Sequence, residues 1–90
     1  MVSQAQIDKC VAIARKFGVN RLVLFGSANE TPEKARDVDL LIDGVGGADF
    51  AVMGTEMEDA AGVKVDLVPM MPMTRFVRYN LEHGKILYAA

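Results

Sequence analysis

Apolar residues first recur at helical spacing: Ile7, Cys10, Val11, Ala14 and Phe17 fall on one face of a helix expected over residues 4–17. Ser3 followed by Gln6 is a capping-box pattern, and Gly18 supplies the stop at the other end. The pattern then changes to a continuous apolar run, Arg21-Leu22-Val23-Leu24-Phe25, bounded by Asn20 and Gly26, which predicts a strand buried on both faces. Thr31-Pro32 predicts an N-cap and a first helical position, with room for a turn or so before Asp37. Val38 to Ile42 predicts a second strand, and Gly44-Val45-Gly46-Gly47 a flexible connection. Phe50, Met53, Met57 and Ala60 are expected to share the inner face of a helix ending at Gly62, weakened by Gly54. Lys64-Val65-Asp66-Leu67-Val68 predicts a third strand stopped by Pro69, residues 74–83 a last short helix closed by Gly84, and Lys85 to Tyr88 a final strand. Phe76, Val77 and Leu81 are expected to seat that last helix on the sheet. The order α-β-α-β-α-β-α-β predicts an α/β (α+β) fold, a small mixed sheet of three to four strands flanked by helices.

Ninety residues lead us to expect a single domain over residues 1–90, and a chain of this size buries about 60–65% of the surface its unfolded form exposes. The net charge of −2 argues against a nucleic-acid partner, whose recognition needs clustered Lys and Arg. The only cysteine, Cys10, sits among apolar residues, and a buried thiol in a reducing compartment is its plainest reading. No stretch reaches the ~20 apolar residues of a membrane span, and the first residues lack a signal-peptide pattern, so a cytoplasmic location with no membrane association is expected. Met70-Met71-Pro72-Met73 reads equally as an adaptable partner surface, in a homo- or hetero-oligomer, or as a loop folded over the core.

The chemistry concentrates in three aspartates. Asp37 and Asp39 are two apart on an expected strand, whose period of two sends both side chains to one face. Two adjacent carboxylates repel unless they are exposed, protonated or bridged by a cation, and Mg2+ takes one or two carboxylates together with substrate phosphates and water. Asp66 is the only polar residue inside Val65-Asp66-Leu67-Val68, and it joins the pair if its strand neighbours theirs. Gly26-Ser27 ends the first strand, where exposed backbone N–H groups can receive an anion. Taken singly, Asp37 can cap a turn, Asp39 can face solvent and Asp66 can pair with Lys64 or Arg75. Together, with Gly26-Ser27 in front, they point to a site.

Leu24-Phe25-Gly26-Ser27, nine residues, then Asp37-Val38-Asp39-Leu40-Leu41, and after a helix Val65-Asp66-Leu67, resembles the nucleotidyltransferase superfamily that includes DNA polymerase beta. With the ending Asn80-Leu81-Glu82-His83-Gly84-Lys85-Ile86-Leu87-Tyr88, the chain is most similar to the minimal nucleotidyltransferases. The resemblance implies that Gly26 and Ser27 bind the nucleotide triphosphate, that Asp37 and Asp39 bind two Mg2+ ions, and that Asp66 completes the metal site and helps activate the acceptor hydroxyl. It further implies ATP as substrate and an antitoxin role, in which AMP is transferred to a tyrosine of a HEPN-domain toxin partner. The resemblance leaves room for a catalytically weak antitoxin that acts by occlusion, and for transfer to a small molecule such as an aminoglycoside. In the family small and basic residues commonly follow the Gly-Ser turn; here Ala28-Asn29-Glu30 follows, with Lys34 and Arg36 further on either reaching back or solvated.

Overall fold

The computed structural model describes residues 1–90. Eight elements follow one another: α1 (Gln4–Lys16), β1 (Arg21–Phe25), α2 (Ser27–Glu30), β2 (Asp37–Asp43), α3 (Gly47–Ala61), β3 (Lys64–Pro69), α4 (Arg75–His83) and β4 (Lys85–Ala89). The alternation is the expected one. The strands form one sheet in the order β3-β2-β1-β4, with β1 antiparallel to both neighbours and β2 parallel to β3, so the sheet is mixed.

Local chemistry explains the first helix. The Ser3 hydroxyl accepts from the Gln6 N–H while the Gln6 side chain accepts from the Ser3 N–H, a reciprocal capping box. Ile7, Cys10 and Ala14 then bury one stripe of α1. Burial pushes the Cys10 thiol up to about 11, so at neutral pH it is a protonated, inert apolar group.

The central strands are apolar on both faces, and each face has its own core. On one side Leu22, Leu24, Val38, Leu40, Ile42 and Val65 meet α1 and α3 through Cys10, Met53 and Met57. Burying each such Leu or Met fully contributes about 1.5–3 kcal/mol. Gln6 donates to the Ala61 carbonyl and Lys16 pairs with Glu56, binding α1 to α3 at both ends. On the other side Val23, Phe25, Leu41, Met70 and Val77 form a smaller cluster under α4. Tyr88 anchors edge strand β4: its hydroxyl donates to the Val19 carbonyl, and Arg15 lies 4.3 Å from its ring centre.

Three sequence expectations change, at Thr31-Pro32, Ala60 and Phe76. The short helix begins at Ser27, and Thr31 is its C-terminal cap rather than an N-cap; Thr31 and Pro32 lie in turns, where their carbonyls accept from Lys34, Ala35 and Val2. On α3 the residue buried beside Met53 and Met57 is Ala61, while Ala60 is exposed. Gly54 has a packing reason, because a Cβ there would come within 3.3 Å of Leu67 Cδ1 on β3. Val77 and Leu81 seat α4 as expected, but Phe76 is more than half exposed. The methionine run divides between its two readings: Met70 is fully buried, whereas Met71 and Met73 are exposed.

Candidate active site

Parallel pairing of β2 with β3 sets Asp39 directly opposite Asp66 and Asp37 opposite Lys64. Alternate residues share a face, so all four project from the same side of the sheet. Phe25, across from Asp39 on β1, belongs to the cluster under α4, which identifies that side. The strand neighbours required for convergence are therefore present. Asp37, Asp39 and Asp66 are each half-buried, at the end of the sheet where β1 gives way to Gly26.

Gly26 closes the site from the β1 side. Its φ of +73° and ψ of −154° lie in a region that essentially only glycine adopts. A Cβ at Gly26 would stand 2.6 Å from Asp39 Oδ2, so the missing side chain is also what lets the turn approach the carboxylate. Helix α2 starts at the next residue with no side chain capping it, and its first N–H groups lack intrahelical partners. Ser27 is exposed at that terminus. A carboxylate pair thus lies against a turn able to receive an anion.

The electrostatics show how closely the acids interact. The Asp39 carboxyl is raised above its ordinary range, chiefly by burial, next by the charge and hydrogen-bonding approach of Asp66, and then by Asp37. Lys64 opposes the rise, and its Nζ lies 3.7 Å from Asp66 Oδ1. The Lys64 side chain is mostly exposed and that of Asp66 nearly half exposed, so that pair is weak. The pairing of Asp66 with Lys64 left open by the sequence therefore occurs, and it leaves Asp66 beside Asp39. No three carboxylate, imidazole or thiolate groups are arranged as one ready cluster for an ion. A two-carboxylate set fits Mg2+ nevertheless, because phosphates and water commonly complete its oxygen shell.

The sequence offered Lys64 only as an ion-pair partner of Asp66; it stands two before Asp66 and shares its face by the arithmetic that paired Asp37 with Asp39, which makes it part of the site. Lys34 and Arg36 are exposed and belong to none of the ion pairs. His83 gives no metal site; its Nδ1 lies 2.8 Å from the Tyr79 carbonyl and its ring stacks on Tyr79. The largest cavity, about 480 Å³, is elsewhere, between the start of α1, α2 and Lys85, and is lined by Val2, Ile7, Leu24 and Pro32 rather than by the aspartates.

The family model described as a nucleotidyltransferase domain matches residues 7–88. The chain belongs to that family. Among curated proteins no relative matches its sequence. Solved structures share the fold: the crystal structure of the toxin–antitoxin MntA–HepT superposes with a TM-score of 0.75 at 17% identity, over 98% of this chain and 74% of that one. A toxin–antitoxin crystal structure with AMP-PNP gives a TM-score of 0.78 at 18% identity, over 92% of this chain and 73% of that one. This nucleotidyltransferase domain thus has the architecture of those chains, and its aspartates and Gly26 turn occupy one end of one sheet face.

Proposed function

We propose that this chain is a protein adenylyltransferase antitoxin, using Mg2+ to transfer AMP from ATP to a tyrosine hydroxyl of a HEPN-type toxin partner. The observation that carries the reading is the meeting of Asp39 and Asp66 on adjacent strands, beside Asp37 and against Gly26. Family membership supports nucleotidyl transfer, and the toxin–antitoxin identity of the structural neighbours supports the partner. The AMP-PNP in one of those crystals supports ATP as donor.

Asp37 and Asp39, with Asp66, would hold the metal. Bound there, Mg2+ would neutralise charge on the triphosphate and the departing pyrophosphate. The Gly26 turn and Ser27 hold the phosphates through the free N–H groups of α2 and the serine hydroxyl. Asp66 accepts the proton of the tyrosine hydroxyl as its oxygen bonds to the α-phosphorus. The bond from that phosphorus to the bridging oxygen breaks, and pyrophosphate leaves with the electron pair. The added AMP places bulk and negative charge on the toxin, the kind of local switch that phosphorylation also provides.

The test is transfer of label from α-labelled ATP onto a co-expressed HEPN partner, with Asp39→Asn for comparison. One labelled band that vanishes in the variant is the expected result. Equal labelling by both proteins would sink the site.

A second reading follows from Ala28-Asn29-Glu30, which puts an acidic rather than a basic side chain at the end of the short helix that follows Gly26. In that reading the chain neutralises its partner by binding and occlusion. Neutralisation retained in the triple Asp37, Asp39, Asp66→Asn protein would favour it.

A further inference from the structure

Helix α4 turns its polar and aromatic flank toward the Gly26 turn. Its apolar stripe, Val77 and Leu81, faces the sheet, which leaves Phe76, Tyr79, Asn80 and His83 on the side nearest α2. Tyr79, Asn80 and His83 line a narrow cleft with Phe25, Gly26 and Asn29. Phe76 meets Phe25 edge-on with ring centres 5.7 Å apart, and Phe25 is the strand partner of Asp39. The flank therefore lies over β1 beside the Gly26 turn.

Its aromatic rings are unusually open for their size, with Phe76 54% and Tyr79 51% exposed. Tyr79 and His83 stack with centres 4.1 Å apart and planes 18° apart, so His83 covers one face of the Tyr79 ring. With one face covered in this way Tyr79 is still half exposed, so the ring keeps open surface; Phe76, three residues earlier, is its neighbour on the helix surface. The cleft itself has room for about 20 Å³, enough for a water and far short of a base.

We infer that α4 is the nucleoside-binding edge of the transferase site, with the base of the NTP stacked on the free face of Tyr79 beside Phe76. This rests on the nucleotidyl transfer proposed above and assigns the part of the donor that the phosphate turn leaves unbound. Stacking accepts any base, because every base offers a π-face. Tyr79 accordingly contributes affinity for nucleotide over bare phosphate.

Both ring positions are exposed, so their variants keep the fold. Binding of Mg2+·ATP and of Mg2+·tripolyphosphate, which has the phosphates and no nucleoside, is measured by calorimetry for wild type, Tyr79→Ala, Tyr79→Phe and Phe76→Ala. Tyr79→Ala should weaken ATP on the order of tenfold, within the range of base–aromatic stacking. Its tripolyphosphate affinity should stay unchanged, and Tyr79→Phe should bind ATP like wild type. Unchanged ATP affinity in Tyr79→Ala, or equal loss of both ligands, overturns the assignment while leaving the transfer reading intact. Wild-type protein that binds neither ligand overturns both.

Discussion

At the scale of single residues, Gly26 meets two demands that no other side chain meets together. Its backbone occupies a glycine-only conformation, and its missing Cβ is the space that Asp39 Oδ2 uses. Gly26→Ala should therefore cost about 1–3 kcal/mol in backbone strain alone and push the carboxylate or the turn away. Thermal unfolding should show a clear fall in Tm, and label transfer should drop to background even well below that Tm. A variant with wild-type values of both would show that the close approach is unimportant. The shared face of Asp37 and Asp39 was legible in the sequence because it needs only the two-residue period of a strand. The contact of Gly26 with Asp39 was not, because it depends on antiparallel pairing across residues distant in the chain, which periodicity does not report.

At the scale of elements, legibility followed how local the cause was. The capping box that starts α1 lies within four residues, Ser3 to Gln6, and it formed as read. The start of α2 could not be read that way, since no side chain caps it and only the termination of β1 places it at Ser27. Thr31-Pro32 carries the local signal of a helix start, and the turns it occupies use Pro32 for a hydrogen bond with Val2 instead. For α1 the local signal makes a local prediction. Ser3→Ala should cost about 1 kcal/mol, a fall of roughly 4–8 °C in Tm for a domain of this size. Since α1 packs on the sheet face away from the aspartates, transfer below the new Tm should match wild type. A loss of activity without a loss of Tm would show that α1 acts on the site directly.

At the scale of the whole molecule, the sheet divides its labour between faces. The side under α1 and α3 carries most of the apolar core, and the side under α4 stops short of the aspartates. The site is thus a place where folding free energy is given up. In the folded chain Asp39 holds its proton more tightly than the ordinary carboxylate value of 3.8, through burial first and then Asp66 and Asp37. A group whose folded pKa is raised contributes stability below its unfolded pKa, and that contribution is lost as pH rises through the folded value. Ionising Asp39 in the metal-free folded chain therefore costs stability, a cost that Asp39→Asn removes. The variant should melt higher than wild type at pH 7 without divalent metal, with the difference shrinking as pH falls toward 4. Adding Mg2+ should raise the Tm of wild type and leave that of the variant almost unmoved, so that the inactive protein is the more stable one only in the absence of metal. A lower Tm for Asp39→Asn at neutral pH in chelator would mean that Asp39 serves the fold rather than the reaction.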